Sequence, residues 1–334
     1  MTVGAVREPP LPYEKMKPKK IKPLDPSQLR TTSLKKGRRI VELKAFARPW
    51  QPGGKLSRFL DELPDILAGR DFRRVVEAVV KARRRGRPVI LAMGAHVIKV
   101  GLSPVVIDLM RRGIVTGVAL NGAGAVHDFE VAYAGKTSED VAETLEDGSF
   151  GAAAETADAL NLAAGLCLVR EWGLGQAFGE VIAKAKLPHA RFSILAQAAE
   201  LGLPATVHVA IGTDTVHMHP SADGAAIGQG TLHDFRLFAG MVAKLEGGVY
   251  FNIGSAVILP EVFLKAVSLA RNLGHPVRRF TAVNLDFIQH YRPRQNVTGR
   301  PVARGGQGIS LTGHHELLFP LLAAAILEKL KANE

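Results

Sequence analysis

The chain has 334 residues, 47% of them hydrophobic and 22% charged, with one cysteine. That composition supplies ample material for a buried core and excludes an internal disulfide. The net charge of +12 is uneven: the first 55 residues hold fourteen Lys/Arg against four Asp/Glu, and the remaining 279 are left with a balance of +2. No apolar run approaches the roughly 20 residues of a membrane span. The N-terminal segment lacks the apolar stretch of a secretory signal, so a cytoplasmic location is expected. The basic character belongs to an arm, residues 1–54, rich in Pro and Lys. No basic–aromatic module accompanies it, so nucleic-acid binding is not expected.

The folded body is expected over 55–334 as a single domain. A short strand is predicted at Arg39 to Leu43, followed by a Pro/Gly break through Gly54. Residues 55–85 read as helical and end in a Lys/Arg run closed by Gly86 and Pro88. Such a run complements a helix dipole first and forms a binding patch second. Strands are then predicted at 88–93, 115–120, 204–210, 247–252 and 280–285. Helices are predicted at 102–112, 138–146, 152–168, 176–184, 190–200, 231–244, 259–273 and 315–331. Strands separated by helices imply an α/β fold, Rossmann-like, with a mostly parallel sheet covered on both faces. Cys167, in the run LAAGLCLV, reads as a small core residue.

In such a sheet, ligands lie beyond the carboxyl ends of the strands. Three glycine-containing turns fall there: Asn121-Gly122-Ala123-Gly124, then Asp223-Gly224 with Gly228-Gln229, then Gly254-Ser255. Gly94 and His96 follow the first strand. Small residues at these points let backbone amides approach a phosphate or ribose. Together they predict a shared nucleotide crevice, although each alone reads equally as a plain turn. His127, next to Asp128, is an acid–base candidate. So is His290, in the basic segment that carries Arg292 and Arg294. Those arginines can clamp a phosphate or carboxylate, or simply face solvent. His208, His217 and His219, with Asp214 between them, raise a metal alternative, but no zinc-hydrolase signature supports it.

The order of these motifs resembles the deoxyhypusine synthase family. The resemblance rests on GLSPVVIDLMRRGIVTGVALNGAGAVHDFE, PSADGAAIG, AKLEGGVYFNIGSAV, AVNLDF, GRP and ELLFPLL, and runs from about Gly94 to Leu322. It implies a Rossmann-like body that binds NAD at subunit interfaces, in a homotetramer. The family oxidises spermidine with NAD and passes the aminobutyl group through an enzyme lysine to a lysine of a translation factor precursor. Bacterial relatives pass the group to a small polyamine. The resemblance implies cofactor contacts at Gly94, His96, Asn121, Gly122, Ala123, Gly124, Asp128, Asp223, Gly224, Gly254, Ser255 and His314. His127 stands where the family prefers glutamate, and His314 falls near a cofactor-contacting aspartate.

The chemical side departs from the family. No lysine occurs from Asn252 to Pro260, and none in VARGGQGI after Arg300-Pro301. Gln229 replaces a polyamine-holding carboxylate, and His290, Pro293 or arginine replace acidic positions. A polycation needs carboxylates to offset its desolvation. The expectation is therefore a diverged NAD-dependent enzyme of the transferase family without the family's own reaction. Its substrate is expected to be small and anionic, held by Gln229, Arg292 and Arg294, with His127 or His290 as acid–base group. The alternatives are a nucleotide-binding regulator without catalysis, aminobutyl transfer in another form, and a metal-dependent hydrolase.

Overall fold

The structure is a computed structural model that describes residues 21–332. The chain divides into two units, with the boundary between Glu42 and Leu43. In the first, Asp25 caps a single 3-10 turn, Pro26–Gln28. The strand predicted at Arg39 to Leu43 does not form. A strand needs a ladder partner, and Leu43–Ala45 instead makes a 3-10 turn.

The second unit runs α1 (Leu56–Glu62), α2 (Leu67–Arg84), β1 (Val89–Met93), α3 (His96–Lys99), α4 (Ser103–Arg111), β2 (Gly117–Asn121) and α5 (Gly122–Ala134). It continues through α6 (Val141–Glu146), α7 (Ala154–Val169), α8 (Leu174–Lys184), α9 (Ile194–Glu200), β3 (Ala205–His208) and α10 (Gly224–Ala243). It closes with β4 (Val249–Ile253), α11 (Ile258–Asn272), β5 (Thr281–Asp286), α12 (Tyr291–Asn296), β6 (Gln307–Thr312) and α13 (His315–Lys331). The six strands form one parallel sheet in the order β3-β2-β1-β4-β5-β6. Among the described residues no helix is long and apolar enough to cross a membrane.

The alternation of a strand's side chains divides the core in two. Val89, Leu91 and Met93 of β1 join the core formed with α2, α4 and α13. Ile90 and Ala92 join the other, with Phe238 of α10 and Phe263 of α11. Both faces of β1 are therefore apolar, which is why its sequence reads as an unbroken hydrophobic run.

Several boundaries move, each for a local reason. The helix predicted over 55–85 is two, because Pro64 follows α1 and Leu67 takes a left-handed φ of 44°. The turn predicted at Asn121 to Gly124 is the first turn of α5, whose N-cap Asn121 accepts from the Gly124 N–H at 2.9 Å. α10 starts at Gly224, with Asp223 as its N-cap accepting from Ala225 and Ala226. The sixth strand, β6, is absent from the sequence reading. It is an edge strand in which only Ile309 and Leu311 are buried, so its pattern is too polar to stand out.

The switch point of the winding lies between β1 and β4, whose connections leave in opposite directions. The Gly94 N–H donates to the Ile253 carbonyl at 2.9 Å. A Cβ at Gly94 would stand 2.2 Å from the backbone oxygen of Gly254, which cannot yield as a side chain would. Gly94→Ala should therefore destabilise the protein by on the order of 2 kcal/mol or more. Gly165→Ala, inside α7 with nothing within 4 Å of the new Cβ, should be neutral or stabilise by up to about 1 kcal/mol. Denaturant melts of the two variants check the contrast.

Candidate active site

The crevice above the switch point is built from four loops. After β1 come Gly94 and then α3, which begins at His96. After β4 comes Gly254, with a left-handed φ of 63° and its N–H donating to the Leu285 carbonyl at 3.2 Å. After β5 come Asp286 and Phe287, and after β6 come His314 and His315 at the start of α13. A side chain at residue 254 would strike the His315 ring, because a Cβ there would lie 2.8 Å from Cε1. The absence of one lets that imidazole tuck against the backbone, fully buried.

His315 and His96 face each other Nδ1 to Nδ1 at 2.8 Å. The other nitrogen of His315, Nε2, lies 3.2 Å from the Leu285 carbonyl. A carbonyl can only accept, so Nε2 of His315 carries a proton. Burial, the largest influence, lowers the His315 pKa despite the opposing pull of Leu285 and Asp286, which favours the neutral ring. In that form its Nδ1 accepts, and His96 donates from Nδ1. The Nε2 of half-buried His96 then holds a lone pair that no described residue bonds. This is an oriented base: one histidine fixes the tautomer of the other. Phe287, 47% exposed, places its ring 5.8 Å from His96 and stacks with His314 at 6.3 Å.

Beneath the β4 and β5 loops lies a chain of buried amides. Asn252 Nδ2 donates to Asn284 Oδ1 at 2.7 Å and to the Ser255 carbonyl at 2.9 Å. Asn284 Nδ2 donates to Gln289 Oε1 at 2.7 Å. Gln289 reaches the Leu311 carbonyl at 3.2 Å. These bonds join the loops after β4 and β5 to β6. Ser255 Oγ accepts from Leu259, so it anchors the start of α11.

A small cavity of about 170 Å³ opens on the same edge of the sheet. It is lined by Lys99, His127, Glu130, Glu139 and Asp214, with Ala123 at the start of α5. His127 donates from Nδ1 to Thr137 Oγ1 at 2.6 Å, and the Thr137 hydroxyl donates to Glu130. Burial raises the Glu130 carboxyl, but the His127 and Thr137 bonds outweigh it and leave it below its ordinary value. Asp214 is buried, and its Oδ2 has no partner among the described residues. Burial pushes its carboxyl up to about 6 against the pull of the Ala123 N–H. A Cβ at Gly122 would meet Asp214 Oδ2 at 2.0 Å, so the glycine makes room for an internal carboxylate.

The predicted residues thus divide. Gly94, His96, Gly254, Ser255 and His314 gather at the crevice. Asn121, Gly122, Ala123, Gly124 and His127 belong to the α5 end and its acidic cavity. Asp128 faces neither: it is fully buried and accepts from Ile194 at 2.7 Å, Leu195 at 3.1 Å and Ser193 Oγ, tying α5 to α9. Asp223 and Gly224 form the N-cap of α10, and Gln229 is exposed on that helix. His290, Arg292 and Arg294 lie exposed on or beside α12, and Arg292 is drawn to Glu261 at 3.6 Å. The three histidines of the metal alternative do not converge. His208 bonds Thr206, His217 accepts from Gly212, and His219 meets the Gly151 carbonyl. Cys167 is buried, its thiol pushed up to about 11 chiefly by that burial.

Sequence reasoning missed His315, Phe287, Lys99 and Glu130. The signal for the first was Gly313-His314-His315 before an apolar helix, but without β6 nothing marked it as a strand end.

No protein-family model and no curated protein matches the chain. Solved structures do share its fold. A conserved LOR/SDH-type protein from Methanococcus maripaludis S2 has a TM-score of 0.51 at 15% identity over 80% of this chain and 71% of its own. AgrE, in a ternary complex with ornithine and NAD+, has a TM-score of 0.51 at 16% identity over 80% of this chain but only 35% of its own. A protein assigned as a deoxyhypusine synthase from Entamoeba histolytica has a TM-score of 0.48 at 12% identity over 84% and 96%. At these identities the first two show a likeness of fold alone, Rossmann-like α/β.

The buried His208 carries a pH signature. Burial lowers its pKa from 6.5 to about 3. Between those values the unfolded chain binds the extra proton, so stability is complete above the upper value and lost as pH falls through the window. The loss is on the order of a few kcal/mol. His208→Leu should flatten the acid branch of the melting temperature against pH relative to wild type, whatever its effect at neutral pH.

Proposed function

We propose that the crevice at the β1/β4 switch point binds NAD and that the protein oxidises a small, amine-bearing substrate there. The observation that carries this reading is the His96–His315 pair, which leaves one imidazole nitrogen open beside a glycine-lined backbone. The residues fit the cofactor unevenly. Gly94 and Gly254 keep the crevice floor free of side chains, and the exposed Phe287 ring offers a flat apolar surface beside His96. The α5 end suits the phosphates poorly, because the buried carboxylate of Asp214 already stands at its first amides and would repel them. Gly254, Ser255 and His314 are therefore the residues assigned to hold the cofactor. AgrE, about a third of whose length shares this fold, was solved in a complex with NAD+, which supports the choice of cofactor.

When bound, NAD would supply the hydride acceptor. The chain's own part is to position the substrate and accept its proton. His96 Nε2 would take the proton from a substrate N–H or O–H as the adjacent C–H bond gives up its hydride. His315 would keep His96 in the accepting tautomer and share the positive charge through the 2.8 Å bond. His96 and Lys99 are three residues apart on α3, so one short helix connects the crevice to the acidic cavity. Glu130, Glu139 and Asp214 outnumber Lys99 in that cavity, so it favours a cationic group.

This departs from the anionic substrate expected from the sequence. Arg292 and Arg294 are exposed, and Arg292 is drawn to Glu261, whereas the carboxylates line the cavity. A second reading, aminobutyl transfer in another form, is favoured by one observation: Lys99 stands among carboxylates on the same edge of the sheet as the crevice. Self-association belongs to the proposal too. Val169 on α7 and Leu317 on α13 are more than 70% exposed. A homotetramer in the cytoplasm is the form we assign.

The test is NAD binding by calorimetry, followed by NADH formation across a panel of amines and carboxylic acids. An amine should reduce the cofactor. His96→Asn should lower turnover about 10²- to 10⁴-fold while leaving NAD affinity within about threefold, well under 1 kcal/mol. Asp214→Asn should raise the KM for the amine more than it lowers kcat. Tight NAD binding with no reduction by any substrate would favour the regulatory alternative and sink the enzymatic reading. Tritium transfer from labelled spermidine onto a lysine-containing peptide, abolished by Lys99→Arg, would favour the second reading.

A further inference from the structure

A cavity of about 850 Å³ lies at the other end of the sheet, where β4, β5 and β6 begin. Five basic side chains line it, Arg74, Lys81, Arg85, Arg87 and Arg279, against Glu77 and Glu246. Glu246 is already taken up: it accepts from the Arg278 and Arg279 amides at 2.7 and 2.9 Å and from Arg279 Nε at 2.8 Å. Lys81, Arg85 and Arg87 have no side-chain partner among the described residues. Arg84 extends the group into an adjoining hollow.

The helix dipole accounts for only part of this. Lys81, Arg83 and Arg84 complete the last turn of α2 and complement its C-terminus. Arg87 and Arg279 do not belong to that helix. They come from the segments that enter β1 and β5, yet they converge on the same space. Nor does general basicity explain it, since the chain beyond residue 55 is nearly neutral, at +2 over 279 residues. Unpaired cations held together repel one another, and a bound anion relieves that repulsion. The floor is backbone: Gly247 and Gly305 take φ of 77° and 100°, and a Cβ at Gly305 would touch only Arg279 Cγ at 3.6 Å. A ligand can therefore approach the chain closely here.

We infer that this cavity binds a small molecule carrying two or more phosphate groups. Guanidinium groups match phosphate oxygens in pairs, and several convergent forks select a multivalent anion over a single one. The volume suits a nucleotide-sized molecule. A nucleic acid strand would need a longer track. The site is separate from the crevice: a strand of five residues spans about 17 Å between them. The inference goes beyond the NAD reading and does not depend on it.

Calorimetry of the full chain with tripolyphosphate, at low and at physiological salt, tests it. One saturable site is expected, with inorganic phosphate at least about tenfold weaker, or 1.4 kcal/mol. Arg85→Ala/Arg87→Ala should weaken tripolyphosphate at least about tenfold, and Lys81→Gln should weaken it to a smaller degree without disturbing the fold. Lys184→Ala/Arg236→Ala, which removes the same charge from another surface, should leave affinity unchanged. Absence of saturable binding would overturn the inference, as would an equal loss in the control variant. A single-stranded oligonucleotide that binds and is not displaced by tripolyphosphate would also overturn it, because the surface would then be an extended track.

Discussion

One imidazole–imidazole hydrogen bond sets the geometry of the crevice, and it exists because residue 254 has no side chain. His315 occupies the space a Cβ would fill, donates to the Leu285 carbonyl, and so meets His96 as an acceptor. The same glycine faces Gly94 across the switch point at backbone contact. The backbone contact at the switch point and the seat of the His315 ring therefore arise from one pair of small residues. Removing either glycine would disturb both at once.

The two ends of the sheet carry opposite electrostatics. At the carboxyl end, Glu130, Glu139 and Asp214 line a cavity with a single lysine, Lys99. At the amino end, arginines from three separate segments converge. The charge near neutrality over residues 56–334 conceals this, because composition sums what the fold separates. Buried aspartates also act as internal ligands. Asp128 holds the start of α9, and Asp234 accepts from Val207 and Gly175 at 2.8 Å each. Burial pushes these carboxyls up to about 6 and about 7. Two acids that could pass for catalytic groups are thereby fixed as structural ones.

Much of the fold was legible in the sequence, and the reason is physical. Fully buried parallel strands read as apolar runs, so five of the six could be placed from pattern alone. The sixth, Gln307–Thr312, sits at an edge with one face polar, and its pattern carries little signal. The site was legible only in part. Glycine-bearing turns after strands pointed to the carboxyl edge of the sheet, and Gly94, His96, Gly254 and Ser255 do gather there. Yet Asn-Gly-Ala-Gly and Asp-Gly looked like ligand loops when they are helix N-caps, since both uses want the same residue types. His315 could not be paired with His96, 219 residues away, without knowing that β6 joins the sheet beside β5 and returns the chain to the same edge. Arg292 and Arg294 read as a clamp because sequence order does not show which way an exposed helix faces.

An open base in the crevice requires one pair of tautomers at His96 and His315, and nitrogen-15 chemical shifts of selectively labelled histidines measure these directly. Near neutral pH, His315 should show a protonated Nε2 and an accepting Nδ1, while His96 shows a protonated Nδ1 and an unprotonated, solvent-responsive Nε2. A His96 signal with its proton on Nε2 would leave the crevice without an open base and would contradict the account.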